Sequence, residues 1–136
     1  MPYATLVTAS QLQNEIANAD WAIVDCRFSL GNPERGRRDY LSSHIAGAVY
    51  AHLDDDLSGI VIPWKTGRHP LPLMKSFTET LSNWGISSDV QVVAYDDAGG
   101  AIAARLWWML NWVGHEAIAL LRGRQRPVRG VTARPA

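Results

Sequence analysis

The sequence is poor in cysteine, carries no net charge and has no long apolar run. A single cysteine, Cys26, excludes an intrachain disulfide and any cysteine-rich zinc site. Thirteen Lys and Arg balance thirteen Asp and Glu, so no overall field draws the chain toward nucleic acid or a membrane surface. The longest apolar stretches, such as Leu106–Leu110, fall far short of the roughly 20 residues that cross a bilayer. Met1-Pro2-Tyr3 opens the chain without a basic n-region or an apolar h-region, so no secretory signal is expected and the expected location is the cytoplasm. What is present is 136 residues, 47% apolar and 19% charged, with six Trp. That is one domain's length with enough apolar surface for a real core, and it excludes global disorder.

The balanced charge is unevenly placed. Five arginines and no acid lie between Arg122 and Arg134, among Gly123, Pro127, Gly130 and Pro135. The tail 122–136 is therefore expected to be irregular, a solvated end and not a nucleic-acid arm.

Periodicity supplies the elements. Thr8-x-x-Gln11 reads as a capping box opening a helix to about Ala19. Ala22–Cys26 reads as a buried strand, 32–38 as a loop, Asp39–Ser43 as a helical turn and 47–50 as the approach to a second strand. Ala51–Pro72 is a long connection, of a length that is usually functional or wrapped on the surface. A helix over Leu73–Trp84 places Phe77, Leu81 and Trp84 on one face, with Gly85 at its end. A strand over Val90–Tyr95, a turn at Asp96–Gly100, a helix over Ala101–Val113 and a strand over Ala117–Leu121 complete the pattern. Strands alternating with helices predict an α/β domain with a mostly parallel central sheet and helices on both faces. Ligands of such sheets sit beyond the carboxyl ends of the strands, so Asp96–Gly100 is the first place to look for a site. The helix Ala101–Val113 is apolar on nearly every side, which predicts burial all round, or a second domain or subunit against part of it.

Five segments together resemble the rhodanese family of sulfurtransferases. They are Val24-Asp25-Cys26-Arg27, the stretch from Tyr40 through His44-Ile45 to Gly47-Ala48, Thr66-Gly67-Arg68-His69-Pro70-Leu71-Pro72, Val92–Asp96, and Ala104-Arg105-Leu106-Trp107-Trp108-Met109-Leu110. The resemblance runs from about Leu6 to Leu121, which sets a rhodanese-like domain at 1–121. Departures are small in the turn, with Ser43 and Ala46 where the family usually has Gly and Pro. Ile62-Pro63-Trp64-Lys65 is bulkier than usual. Past Leu121 the match fails, so the tail is expected to be a truncation scar or an altered reading frame.

The resemblance implies two similar domains in tandem, the second carrying sulfane sulfur on a cysteine after its fourth strand. Here the equivalent loop, Asp96-Asp97-Ala98-Gly99-Gly100-Ala101, begins with Asp96. That implies the first, non-catalytic type of domain, supporting sulfur transfer from thiosulfate or 3-mercaptopyruvate by a second domain beyond these residues. A carboxylate at position 96 is already an anion and can itself accept the loop amides. The expected partner is that second rhodanese domain, or another copy through the Trp helix. No cofactor or metal is expected, and no nucleic-acid or membrane partner. A free-standing binding or regulatory module is the alternative, and an unconventional enzyme using Cys26 a third reading.

The remaining candidates have plainer readings. Cys26 ends an apolar strand with nothing to lower its pKa, so a buried inert thiol is expected. By resemblance, Asp25, Arg27, His44, Gly47, Arg68, His69, Arg105 and Trp108 are structural motif positions, with Arg68 and His69 in a loop that wraps the domain. Asp96 and Asp97 suit helix capping better than cation binding. Asp54-Asp55-Asp56 reads as a solvated acidic loop, and Arg105 as paired with a carboxylate. Phosphatase chemistry of the related fold needs Cys, five residues, then Arg. Here Asp96 and Ile102 stand at those places.

Overall fold

Thr8 caps the first helix as its spacing with Gln11 predicts. Thr8 Oγ1 accepts the Gln11 amide at 3.1 Å, and Gln11 Oε1 accepts the Thr8 amide at 2.9 Å. A helix cap of this kind is worth about 1 kcal/mol. The helix α1 covers Ala9–Asn14, shorter than the stretch to Ala19 expected. Asn18 explains the early stop, because its side chain makes competing local bonds to Glu15 Oε2 and the Asp20 amide, both at 2.9 Å.

The computed structural model describes residues 3–122 and 132–133. Its strands are β1 (Leu6–Val7), β2 (Trp21–Asp25), β3 (His44–Ile45), β4 (Val49–Tyr50), β5 (Gln91–Tyr95), β6 (Ile118–Leu121) and β7 (Thr132–Ala133); the further helices are α2 (Arg35–Ser42), α3 (Met74–Asn83) and α4 (Ala103–Trp112). Five strands form a sheet in the order β1-β6-β5-β2-β4, parallel at every junction. The short β3 pairs antiparallel with β7 in a separate ribbon. Most of the tail expected to be irregular lies outside the described residues. Thr132–Ala133 departs from that expectation by pairing with His44–Ile45.

Alternation along the strands sorts side chains into two cores. Val24, Val92, Ala94 and Ile118 pack with Phe77 of α3 and with Leu106, Met109 and Leu110 of α4. Ile23, Val93, Tyr95 and Ala119 face the other way, toward Leu12 of α1 and Tyr40 of α2. The result is the three-layer α/β arrangement that the element order predicted. Helix α2 begins inside the stretch expected to be a loop. Gly36 is why: a Cβ there would collide with the Arg27 carbonyl and the Tyr50 hydroxyl, so only glycine lets the helix start lie this close to the sheet.

The long connection between β4 and α3 is held at its base. Arg105 Nη2 donates to the carbonyls of Leu57 at 2.8 Å and Pro70 at 3.2 Å, and the Gly59 amide donates to the Pro70 carbonyl at 2.8 Å. The expected carboxylate partner of Arg105 is thus replaced by two backbone carbonyls, because α4 packs its first turns against the backbone of this strap. Burial without a neutralising acid pulls the Arg105 pKa below its usual value. Arg105→Met keeps the aliphatic stem and removes both donors. We expect it to lower stability by about 1–3 kcal/mol and to open the strap to proteolysis between residues 57 and 70. Unchanged urea unfolding and an unchanged cleavage pattern would contradict this role.

Helix α4 is not covered on every side. Trp108 is 49% exposed, and Ala104 and Asn111 share its outer face. Trp107 is half-buried and donates Nε1–H to the Ala4 carbonyl at 2.9 Å. Trp108 and Trp112, at i and i+4, stack with ring centroids 6.1 Å apart. The helix lies on a sheet face with a partly bare aromatic stripe, which corrects the expectation of burial all round. No helix among the described residues is long and apolar enough to cross a membrane.

Candidate functional site

The carboxyl end of the central strand β5 delivers Asp96 to the place where α/β sheets put their ligands. Its side chain is buried, 3% exposed. Oδ1 accepts the amides of Ala98 at 2.9 Å and Gly100 at 2.8 Å; Oδ2 accepts those of Ile102 at 2.8 Å and Ala103 at 2.7 Å. The loop can curl this tightly because Gly99 and Gly100 take φ of 68° and 92°, conformations costly for other residues. The four donors converge on one anion as α4 begins, and Ile102 and Ala103 are amides its first turn leaves free. The neighbouring Asp97, Ala98 and Ala101 are exposed. An open cleft of about 720 Å³ lies beside the loop, walled by Leu6, Asp97, Gly99, Gly100, Leu120 and Arg122.

The loop, Asp96 to Ala101, holds no thiol and no hydroxyl. The Asp96 carboxylate shares its two oxygens among four N–H groups, charge-assisted bonds that fix the side chain in place. Among the described residues no three His, Cys, Asp or Glu side chains gather as a metal site would need.

Beneath the loop sits a second buried carboxylate. Asp25, wholly buried at the end of β2, accepts the Arg27 amide at 3.0 Å, Arg27 Nη2 at 2.7 Å and the Tyr95 hydroxyl at 2.8 Å. Arg27 Nη2 also donates to the Ser43 carbonyl at 2.7 Å, and the Tyr95 hydroxyl accepts the Ile45 amide at 3.2 Å. The cluster ties β2, β5 and β3 together directly under the loop. Burial works against the Arg27 charge, but the bond to Asp25 overcomes it, so the Arg27 pKa lies above its usual value. Burial first, then the Asp25 charge, pushes the Tyr95 hydroxyl far above the usual phenol range.

A family model described as the rhodanese-like domain matches residues 8–124. The chain belongs to the rhodanese family. This rhodanese domain is 46% identical, over 124 residues, to a probable 3-mercaptopyruvate sulfurtransferase of Pseudomonas aeruginosa, covering 90% of this chain and 44% of that protein. It is 41% identical over 119 residues to a putative thiosulfate sulfurtransferase of Mycobacterium tuberculosis, covering 87% of this chain and 41% of that one. Among solved structures it superposes on the 3-mercaptopyruvate sulfurtransferase of Escherichia coli with TM-score 0.78 at 30% identity, covering 90% and 46% of the two chains. The enzyme of the same name from Leishmania major gives TM-score 0.77 at 32% identity, covering 97% and 39%. The chain spans less than half the length of the relatives it matches.

The other sequence candidates of this rhodanese domain fall outside the loop. His44 stacks on Tyr40 with centroids 4.0 Å apart, its Nδ1 lies 2.9 Å from the Tyr40 carbonyl, and the Tyr40 hydroxyl donates to Ala48 at 2.6 Å. Gly47, at φ 81°, makes the turn between β3 and β4. Arg68 is exposed on the strap, and His69 Nδ1 lies 3.0 Å from Asp54 Oδ1. The acidic run 54–56 is therefore not simply solvated: Asp55 pairs with Arg37 at 3.0 Å, and Asp56 Oδ2 accepts the His52 amide at 2.8 Å. The reason is His52, which sequence reasoning missed. It is 2% exposed, and its Nδ1 accepts the amides of Asp54 and Asp55 at 3.1 and 3.2 Å, which folds the acidic run back onto the domain. Tyr95 reads in the sequence only as a strand residue; its place immediately before the expected turn gives no sign that its hydroxyl binds Asp25.

Cys26 is fully buried. Burial, then the charges of Asp25 and Asp96, hold its thiol well above the usual range. A thiol whose folded pKa is raised favours folding below the unfolded value and loses that contribution as pH rises through about 8.5, where the unfolded thiol ionises. We expect Cys26 to resist aromatic disulfide reagents at pH 8 until urea unfolds the chain. The stability gap between wild type and Cys26→Ala should also narrow above that pH. Rapid labelling of the folded chain would contradict the burial argument.

Proposed function

We propose that this chain is the amino-terminal, non-catalytic rhodanese domain of a thiosulfate or 3-mercaptopyruvate sulfurtransferase, a structural half that supports sulfane-sulfur transfer by a second domain. The observation that carries this reading is Asp96. A sulfur-carrying loop needs a thiolate in a cradle of backbone amides. Here a cradle exists, but the chain's own carboxylate occupies it with four hydrogen bonds. A carboxylate cannot accept and release sulfane sulfur, and the one thiol, Cys26, is fully buried. The relatives' names and their greater length support the rest of the reading: sulfurtransferases of which this chain matches less than half.

The test is the chain alone with thiosulfate or 3-mercaptopyruvate as donor and cyanide as acceptor. We expect thiocyanate at the level of the buffer blank, and no gain of one sulfur in the intact mass. Transfer above the blank that Cys26→Ser abolishes would overturn the reading. We expect Asp96→Cys to remain far below working enzymes as well, since Asp97 beside the new thiol would raise its pKa and repel an anionic donor.

A further inference from the structure

The strap between β4 and α3 carries a bare apolar surface that neither the loop nor the proposed function uses. Ile60 is 84% exposed, Trp64 fully exposed, Leu73 76%, and Val61, Ile62 and Leu71 about half. Large apolar side chains left bare together on one segment mark an interaction surface more often than a solvated one. The surface is also shaped. Ile60, Leu71 and Leu73, with Ser58, Thr66 and Pro70, wall an open cleft of about 570 Å³.

The tip of the strap is a turn closed by three hydrogen bonds. The amides of Lys65 and Thr66 donate to the Ile62 carbonyl at 3.1 and 3.0 Å, and the Ile62 amide donates back to Thr66 Oγ1 at 3.0 Å. Trp64 sits at the turn with φ of 68°, a conformation that costs a bulky residue energy. The closed turn fixes an indole outward in water, where alone it gains nothing. The base of the strap is anchored to α4 by Arg105. Knob and hole therefore stand on one piece, closed at its tip and anchored at its base.

Charge divides the strap in the same sense. No charged residue lies between Leu57 and Trp64. The acids Asp54 and Asp55 stand at the base, where they also contact His69 and Arg37 of the same chain, and the exposed Lys65 stands at the tip. A two-fold interface brings the same patch against itself, so it requires a surface holding both a feature and its complement. This strap has an apolar knob with its cleft, and a basic tip with an acidic base. We infer that the strap is the interface of a two-fold dimer of this chain, in which Trp64 of each copy enters the other's cleft and Lys65 of each tip meets Asp54 and Asp55 of the other base.

Sedimentation velocity from about 1 to 200 μM tests it. Wild type is expected to be dimeric at the upper concentrations. Trp64→Ser, Lys65→Glu and Asp55→Lys are each expected to weaken association at least about tenfold, the effect of unmaking an anchor or opposing like charges. The melting temperatures of Trp64→Ser and Lys65→Glu should stay close to wild type, since neither side chain bonds another part of the domain; Asp55→Lys also gives up the pair with Arg37, so its fold is checked by circular dichroism before association is compared. Mixing Lys65→Glu with Asp55→Lys should restore the dimer, because both charge contacts are then complementary again. Trp108→Ser should leave it intact. A wild type that stays monomeric, a dimer that survives Trp64→Ser, or charge variants that do not recover on mixing would each overturn the inference. A dimer lost only with Trp108→Ser would place the interface on α4 instead.

Discussion

Asp96→Ala is expected to lower stability by about 3–5 kcal/mol, the range for removing one side of a buried charge-assisted network. The substitution deletes one side chain but strands four backbone amides around a buried anion position, and it is their loss of partners that dominates. Asp96→Asn is expected to do little better, because its amide group would point donors at donors. The cradle should then accept an external anion. Molar chloride or sulfate should recover more stability in Asp96→Ala than in wild type. Urea unfolding with and without salt decides it. A loss below about 1 kcal/mol, or a salt response equal to that of wild type, would mean that the loop holds its shape without an anion.

Asp25→Ala is the second large effect. Asp25 is wholly buried and binds the Arg27 guanidinium and backbone and the Tyr95 hydroxyl. Removing it leaves a half-buried cation and a buried hydroxyl without their acceptor, a loss of about 3–5 kcal/mol. Tyr95→Phe removes one donor and keeps the ring, and should cost about 1 kcal/mol. The two changes touch the same bond, so the double variant should be less destabilised than the sum. Additive losses in a double-mutant cycle would show that Tyr95 and Asp25 are not coupled.

Most of the fold was legible because its elements announce themselves locally. The Thr8–Gln11 box, the 3.6-residue spacing of Phe77 and Leu81, and the apolar runs of β2, β5 and β6 each depend on neighbours in sequence. What was missed depends on distant partners. Strand β1 has two residues, Leu6 and Val7, and exists only because β6 lies beside it. Helix α2 starts among glycine and arginines with little periodicity. Its placement follows from the fit of Gly36 against the Arg27 carbonyl. Arg105 was expected to seek a carboxylate because charge pairing is the general rule for buried arginine. The strap's carbonyls took that role through contacts 48 and 35 residues away. At the site, Asp96 as a resident anion was readable from its place after β5, whereas His52 gave no signal, since its two amide donors follow it in an acidic run that looks solvated.

The order of the strands has a consequence for how the domain is made. The first strand of the domain to be made, β1, pairs with β6, the last of its sheet, through registers such as Leu6 with Leu120. Trp107 reaches back to Ala4, and Gln91 to Tyr3, to hold the same end. During synthesis β1 therefore waits for more than a hundred residues before its partner emerges, and the edge of β5 that β6 will cover stays open throughout. Closing such a long loop is slow, and an open parallel edge is a template for the wrong strand. A bulky fusion at the amino terminus should thus lower the soluble yield more than the finished structure, where Tyr3 is only half-buried, would suggest.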